Sequence, residues 1–260
     1  MPDMMDVLAQ NSKQIIAEGY YQQESAGKFE AKEFSFKENI LKCQRNPVIA
    51  EVKVASPSRN VIRENVDVIH VAAAMVRGGA VGLSVLTEPN HFKGSLNNLR
   101  LIRESVNVPL LMKDFVISTD QIDAASRFGA DAVLLIQALF DREYCDQDQN
   151  KMIQHAHSLG LEVLLEAHGE DEFKRVVESN ADMIGINNRD LRTFTVSLNN
   201  TARILKSCNT RDRIVVSESG VDSPRDLLFL KDAGARAFLV GTSIMSSHNV
   251  EEKVRELAEA

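Results

Sequence analysis

Two opposite charges stand inside an apolar stretch of the sequence, in the segment VIAEVKVASPS at positions 48–58. The segment is apolar, partly β-branched and preceded by Pro47, which is typical of a buried strand. Side chains alternate between the two faces of a strand, so Glu51 and Lys53 are expected on one face. A carboxylate and an ammonium group held together out of water can bind charged groups and transfer protons.

Polar residues also end or follow the other short apolar runs of the chain. They are Thr87 and Glu88, Lys113 and Asp114, Gln137, Glu166, Asn187, Asn188 and Arg189, Glu218 and Ser219, and Thr242 and Ser243. A partly desolvated charge is costly when isolated, so the acids and lysines among them should pair, and pairing shifts their pKa values. A buried ion-pair network that only stabilises the fold is the alternative, and it is strongest for Glu88 and Asp114.

Glycine and hydroxyl side chains follow the last two apolar runs, in the segments SESGV and VGTS. Glycine lets backbone N–H groups approach an anion closely, and a following helix adds its dipole. Ser56 and Ser58, after the first run, could lie close by. The pattern favours a phosphate site, although an ordinary Ser/Gly turn is the alternative for each segment alone.

Eight apolar runs alternate with charged segments of helical period, and this alternation indicates parallel strands connected by helices. The candidate strands are 48–53, 81–86, 109–113, 131–136, 161–166, 182–187, 213–218 and 237–241. The lead-ins RGGAVG, FGADAV, LGLEV, SNADMI and AGARAF place Gly or Asn before a strand, which suits the left-handed position that ends a helix. Eight such units predict an α/β fold, a (β/α)₈ TIM barrel. A doubly wound open sheet is the alternative, but no GxGxxG follows the first strand and no GxxxxGK[ST] occurs.

Residues 1–46 are predicted to form a helical extension packed on a barrel of residues 47–260, so that residues 1–260 make a single domain. The chain has 260 residues, 44% of them hydrophobic, and its net charge of -7 argues against a general nucleic-acid binder. Three widely spaced cysteines suggest reduced thiols. The start carries acids and no apolar signal region, and no run is long enough to span a membrane, so we expect a cytoplasmic protein.

A metal site is not expected from the histidines. His155 and His157 are two positions apart in a helical segment, which places them on different faces of the helix.

The segments IAEVKVASPS, LSVLTEPNHFKGS, LLMKDF, AVLLIQALF, LEVLLEAH, GINNRDLRTF, VSESGV and FLVGTSIM, taken in order, resemble the indole-3-glycerol phosphate synthase family of tryptophan biosynthesis. The resemblance covers nearly all of residues 47–246, and the helical extension also fits. It implies a carboxy-lyase that closes the indole ring of 1-(2-carboxyphenylamino)-1-deoxyribulose 5-phosphate with loss of carbon dioxide and water. It implies no cofactor and no metal, a small phosphorylated substrate, and possible association with other enzymes of the tryptophan pathway.

The resemblance also assigns roles. The implied catalytic residues are Glu51, Lys53, Lys113, Glu166, Asn187 and Ser219, with Lys113 as general acid, Glu166 in later proton transfer and Lys53 on the anthranilate carboxylate. The implied binding residues are Ser56, Gly220, Gly241 and Thr242 near the phosphate and ribulose, Arg189 in the network beside the site, and Phe92, Phe115, Leu134 and Leu191 against the aromatic ring. The two lysines would lower each other's pKa, whereas Glu51 and Glu166 would raise it, so the direction stays open.

Four positions depart from the family pattern without removing a main catalytic group: Val54, Asn60, Ala167 and Thr242. Asn tolerates a positive φ less well than Gly, so Asn60 could alter the mobility of the loop after the first strand. Two other functions remain as alternatives. One is a phosphoribosyl isomerase, which typically relies on a different acid/base set, and the other is a catalytically silent barrel that serves as a scaffold.

Overall fold

A computed structural model describes residues 3–25, 34–56, 60–61, 66–190 and 193–260. Its strands are β1 Val48–Val52, β2 Ala55–Ser56, β3 Asn60–Val61, β4 Gly82–Leu86, β5 Leu110–Lys113, β6 Ala132–Ile136, β7 Glu162–Ala167, β8 Met183–Asn187, β9 Val215–Glu218 and β10 Ala237–Val240. The short strands β2 and β3 pair antiparallel in the loop after β1. The other eight close into a parallel barrel in the order β1-β10-β9-β8-β7-β6-β5-β4. The predicted TIM barrel is therefore confirmed, and each candidate strand lies within two residues of an observed one at either end.

The helices are α1 Met4–Ala17, α2 Phe36–Lys42, α3 Val68–Arg77, α4 Leu96–Ser105, α5 Thr119–Arg127, α6 Gln137–Asp141, α7 Gln149–Ser158, α8 Glu170–Val177, α9 Asn199–Ser207, α10 Pro224–Asp232, α11 Thr242–Met245 and α12 Val250–Ala258, with a 3₁₀ turn at Tyr20–Gln22. Local sequence defines several of the helix starts. Ser118 and Ser223 form capping boxes at the starts of α5 and α10, and Pro224 occupies the first turn of α10.

Four of the five predicted left-handed lead-in positions are observed, at Gly79, Gly129, Gly160 and Gly234, all of which have positive φ. The fifth was wrong, because Asn180 does not have a positive φ. A side chain in the left-handed region clashes with the backbone, so glycine adopts it at lower energy than asparagine.

Alternate strand residues divide between two apolar layers. Ile49, Leu111, Leu134 and Leu164 pack together in the barrel interior. Their sequence neighbours, such as Ala50, Met112, Val133 and Leu165, pack against the surrounding helices. Glu51, Lys113 and Glu166 are spaced two residues after Ile49, Leu111 and Leu164, so they continue the interior face toward the carboxyl ends of the strands.

The predicted helical extension is present and contacts the barrel at both ends. The start of α2 lies at the amino-terminal end of β7, where Ser35 Oγ and the Phe36 N–H donate to Glu162. The 3₁₀ turn that follows α1 lies near the carboxyl end of β5, where Tyr21 donates to Asp114 at 3.0 Å. The extension therefore reaches the residue next to Lys113.

In the described ranges, no helix combines the length and the apolar character needed to cross a membrane.

Candidate active site

The carboxyl ends of the barrel strands surround a cavity of about 800 Å³. The predicted site residues whose side chains fall within the described ranges all line it: Glu51, Lys53, Phe92, Lys113, Phe115, Leu134, Glu166, Asn187, Arg189, Ser219, Gly220, Gly241 and Thr242. The side chain of Ser56 and residue Leu191 lie outside what the structure describes. Residues from distant parts of the sequence therefore meet at one end of the barrel, as the strand-end pattern predicted.

Lys113, the last residue of β5, lies between two carboxylates. Its Nζ is 3.4 Å from Glu166 Oε2 and 3.3 Å from Glu218 Oε2. Burial alone would lower the pKa of Lys113, but the charges of Glu218, Glu166 and Glu51 outweigh it and raise that pKa. The direction that the sequence left open is thus settled by the carboxylates, and Lys113 carries its proton at neutral pH.

The second ammonium group, on Lys53, pairs with Glu51 at 2.6 Å. Glu51 is 3% exposed, and burial alone would raise its pKa. The charges of Lys53, Lys113 and Arg189 oppose the effect of burial, and the pKa of Glu51 is lowered. Glu51 is therefore a buried carboxylate that stays ionised because cations surround it. Lys53 keeps part of its side chain accessible at the cavity, where it can meet an anionic group.

Asn187 connects Glu166 to the loop after β8. Its Nδ2 donates to Glu166 Oε1 at 3.1 Å, and its Oδ1 accepts from the Arg189 N–H at 2.9 Å. The Arg189 guanidinium in turn donates to the Phe194 carbonyl at 3.3 Å. Asn187 leaves the second oxygen of Glu166 to Lys113, so the two partners together fix the orientation of that carboxylate.

One wall of the cavity is apolar. The rings of Phe92 and Phe115 lie 5.8 Å apart between centroids and are tilted by 33°. Leu134 continues this wall, together with Leu8, Leu86, Ile136 and Leu239, which the sequence did not assign to the site. A flat aromatic group would be desolvated against this surface.

In the loops after β9 and β10, by contrast, the backbone itself borders the cavity. Ser219 and Gly220 both have positive φ, at 67° and 91°. The hydroxyl of Ser243 donates to the Val221 carbonyl at 2.7 Å, which fastens the loop after β9 to the start of α11. Loops after the seventh and eighth strands commonly hold phosphate in this fold.

The family model described as "Indole-3-glycerol phosphate synthase" matches residues 4–257. The chain belongs to this family. It is similar to an indole-3-glycerol phosphate synthase of Acetivibrio thermocellus, at 44% identity over 80% of this chain and 78% of that protein. A synthase of Methanocaldococcus jannaschii is also 44% identical, over 82% of this chain and 77% of its own length.

Solved structures of other barrels are similar in fold alone. A thiamine phosphate pyrophosphorylase from Pyrococcus furiosus matches with a TM-score of 0.60 at 15% identity, over 86% of this chain and 96% of that one. An N-acetylmannosamine-6-phosphate 2-epimerase from Clostridium perfringens matches with a TM-score of 0.61 at 13% identity, over 84% of this chain and 93% of that one. These likenesses agree with the TIM barrel and carry no information on the reaction.

Glu218 lines the same cavity, and the sequence predicted it only as a strand-end residue. Burial raises the pKa of Glu218, and the neighbouring Glu166 carboxylate adds to the rise against the effect of Lys113. The signal that could have assigned it is alternation, because Val216 packs in the barrel interior and Glu218 follows on the same face.

Two glycines provide the space for the buried carboxylates. A Cβ added to Gly185 would clash with Glu218 Oε1, and one added to Gly241 would clash with Glu51 Oε1. The site thus depends on the absence of side chains at Gly185 and Gly241 as well as on the charged groups themselves.

Glu88 and Asp114 accept several hydrogen bonds from the protein, although Asp114 also lines the cavity. Glu88 accepts from the N–H groups of Asn90, His91 and Phe92. Asp114 accepts from Tyr21, Thr87 and the Phe115 N–H. These contacts favour a role for Glu88 and Asp114 in stabilising the fold over a direct chemical role.

The two histidines of α7 pair separately with carboxylates. His155 Nε2 is 2.7 Å from Asp123, and His157 Nε2 is 2.9 Å from Asp182. Within the described ranges, no group of three or more His, Cys, Asp or Glu side chains is arranged to hold a metal ion.

Proposed function

We propose that the barrel mouth performs the synthase reaction with Lys113 as the general acid. As a member of its family, the chain converts 1-(2-carboxyphenylamino)-1-deoxyribulose 5-phosphate to indole-3-glycerol phosphate with release of carbon dioxide and water. The observation that carries the assignment is the position of Lys113, held between Glu166 and Glu218 at the cavity. A protonated ammonium group there can donate to the substrate carbonyl oxygen as the ring closes.

Glu166 then takes part in the proton transfers that accompany dehydration. It is within reach of Lys113 and is oriented by Asn187. A carboxylate that contacts the general acid can receive or return a proton without a large movement of either side chain. Ser219, beside Glu218, completes the set of catalytic residues that we propose.

Lys53 binds the anthranilate carboxylate. It contacts Glu51 at 2.6 Å, so a substrate carboxylate would share this ammonium group with a buried carboxylate that stays ionised. Ring closure requires the aromatic carbon that bears this carboxylate to lie against the substrate carbonyl carbon, and an ammonium group that binds the carboxylate can hold it there.

Phe92, Phe115 and Leu134 hold the aromatic ring, while Gly220, Gly241 and Thr242 hold the phosphate. The tilted phenylalanine pair and the open backbone of the last two loops support this division of the cavity. Arg189 supports the network beside the ring. Ser56 and Leu191 keep their predicted roles, at the phosphate and at the ring, as proposals that rest on the family pattern.

We further propose one domain of residues 1–260, which works in the cytoplasm on a small molecule and without nucleic acid. The contacts of α1 and α2 with the barrel support the single domain. The net charge of -7 supports the absence of a nucleic-acid partner. Association with other enzymes of tryptophan synthesis is an expectation from the family alone.

The test is turnover of the carboxyphenylamino-deoxyribulose phosphate, followed by the fluorescence of the indole product. Lys113→Met should lower kcat roughly 10²- to 10⁴-fold, the range for loss of a general acid, while the substrate still binds. Lys174→Met is the matched control, because Lys174 is an exposed lysine of α8 that pairs with Asp171. A wild-type rate in Lys113→Met would refute the assignment of the acid, and turnover of a phosphoribosyl isomerase substrate instead would refute the reaction.

A further inference from the structure

The side chain of Asn188 is buried directly behind the predicted phosphate loop and uses its whole hydrogen-bonding capacity. Its Nδ2 donates to Ser217 Oγ at 3.0 Å and to the Ser219 carbonyl at 3.0 Å. Its Oδ1 accepts from the Thr201 N–H at 3.2 Å and from Thr201 Oγ1 at 2.8 Å. An amide group can make four such bonds, and here each of them is made inside the protein.

The loop that Asn188 holds has an unusual backbone. Ser219 is a non-glycine residue with a φ of 67°, and Gly220 follows with a φ of 91°. A residue with a Cβ takes the left-handed conformation only when its surroundings enforce it. The hydrogen bond from Asn188 to the Ser219 carbonyl is a contact that fixes the peptide between these two residues.

This peptide borders the cavity, and its own N–H, on Gly220, and the next N–H, on Val221, are available to a ligand. Ser219, Gly220 and Val221 all line the cavity. Over the residues that the structure describes, the N–H groups of Gly220 and Val221 donate to no acceptor of the protein. Consecutive backbone N–H groups in a tight turn form a concavity that binds anions.

The same network connects the loop to the helix behind it. Thr201 belongs to α9, and its hydroxyl also lies 3.0 Å from Ser217 Oγ. The Asn188 N–H donates to the Glu218 carbonyl, and the Asn188 carbonyl accepts from Ser197. Asn188 thereby joins the end of β8, the start of α9 and the loop after β9.

We propose that Asn188 is a positioning residue for the phosphate end of the substrate, which holds the Ser219–Gly220 peptide by its carbonyl so that the N–H of the same peptide, on Gly220, and the N–H of Val221 remain free to bind phosphate. The proposal rests on the proposed function, since it takes the phosphorylated substrate as the ligand. It also gives two adjacent asparagines different roles. Asn187 orients Glu166 in the cavity, whereas Asn188 holds the phosphate loop from the opposite side.

The test is Asn188→Asp, which keeps the size of the side chain and an oxygen for Thr201 but replaces the donor that faces the Ser219 carbonyl. We expect the KM for the substrate to rise about tenfold, and the inhibition constant of inorganic phosphate to rise with it, because a buried donor is lost. The kcat should stay within about threefold, and its pH profile should not move, because Lys113 and Glu166 are untouched.

Asn46→Asp is the matched control at the other end of the barrel. Asn46 is a buried asparagine whose Nδ2 donates to the carbonyls of Leu257 and Ala260. The same chemical change there should lower the stability of the protein and leave the KM and the phosphate inhibition constant unchanged. Thr201→Val removes the hydroxyl that contacts Asn188 without adding a charge. It should raise the KM and the phosphate inhibition constant about threefold, which separates lost positioning from repulsion between the new carboxylate and phosphate, and it also tests the proposal if Asn188→Asp does not fold.

A folded Asn188→Asp protein with the wild-type KM and phosphate inhibition constant would overturn the proposal. So would changes no different from those of Asn46→Asp, because they would show a role in stability alone. Failure of the wild-type protein to turn over the substrate would refute the proposed function instead. Weakened binding of inorganic phosphate by both Asn188→Asp and Thr201→Val would still support the role of Asn188 in that event.

Discussion

Lys113 Nζ lies 3.3 Å from Glu218 Oε2, and this ion pair is the main polar contact of a buried carboxylate. Neither oxygen of Glu218 accepts a hydrogen bond of ordinary geometry from the part of the chain that the structure describes. Burial raises the pKa of Glu218 to about 8, so at alkaline pH, where it is ionised, Glu218 acts on the site mainly through its charge. Among the carboxylates that raise the pKa of Lys113, it has the largest effect.

Glu218→Gln should move the alkaline limb of the pH–activity profile to lower pH. Lys113 must be protonated to act as an acid, so kcat/KM falls as pH rises through its pKa. Glu218 is ionised at alkaline pH, and removal of its charge lowers the pKa of Lys113, which we expect to shift the limb by about one pH unit. The measurement is kcat/KM from neutral to strongly alkaline pH.

Glu162→Gln is the control for that shift, because Glu162 is a partly buried glutamate at the opposite end of the barrel, bound to Ser35 and Phe36. The alkaline limb of the pH–activity profile of Glu162→Gln should coincide with that of the wild type. An unmoved limb in Glu218→Gln would contradict the electrostatic role of Glu218.

Asn11→Leu should weaken substrate binding through a loop that Asn11 holds from α1. Asn11 Nδ2 donates to Glu88 Oε1 at 2.8 Å, and Asn11 Oδ1 accepts from Asn90 Nδ2 at 2.7 Å. Glu88 in turn binds the N–H of Phe92, which faces Phe115 in the apolar wall. Loss of both side-chain bonds should raise the KM about three- to tenfold, as measured by steady-state kinetics.

Asn39→Leu separates this effect from general damage to the extension. Asn39 belongs to α2 and donates to the Val81 carbonyl at 2.9 Å, away from the cavity. The variant should unfold more easily at an unchanged KM. Equal KM values for both variants would argue that α1 does not position the wall.

Asp114→Asn should reduce the dependence of folding stability on pH. Burial raises the pKa of Asp114 to about 6, above the ordinary value of about 4, so between these pH values the folded state holds a proton that the unfolded state has released. Stability from this group is present below about pH 4 and falls as pH rises to about 6, by about 3 kcal/mol in total. Asparagine resembles the protonated side chain and does not titrate, so urea unfolding at about pH 4 and about pH 7 should give a smaller difference.

Asp131 provides a comparison for Asp114, because burial raises its pKa to about 6 as well. Asp131 pairs with Arg103 at 2.8 Å and lies outside the site. Part of the wild-type slope should therefore remain in Asp114→Asn. An unchanged slope in that variant would mean that the carboxyl of Asp114 stays ionised in the folded protein at low pH.

The barrel and the charged part of the site could be predicted from sequence because both follow from alternation along strands. The residues two positions after Ile49, Leu111 and Leu164 had to face the same way as those core residues. Leu8 could not be predicted in this way, since its place in the cavity depends on how α1 packs against the barrel. The pKa direction of Lys113 depends on distances to carboxylates from three different strands, which no local pattern contains.

In the SESG segment, the Ser/Gly loop pattern hides the strand alternation that places Glu218 on the interior face of the barrel. Its serines and glycine were interpreted as part of a phosphate loop, and the glutamate between the serines, Glu218, was given no role of its own. The role of Asn188 could not be predicted for a related reason. Its partners Thr201 and Ser217 are brought to it only when the barrel closes. Tertiary contacts of this kind determine the roles of residues whose local sequence contains no recognisable motif.

A single substitution at Gly185 or Gly241 could disrupt the charged cluster of the cavity. One added methyl group at either position would meet a buried carboxylate oxygen first, so the side chain of Glu218 or Glu51 would have to move before the sheet did. A descendant could therefore lose the reaction in a single step and persist as a folded protein open to another use.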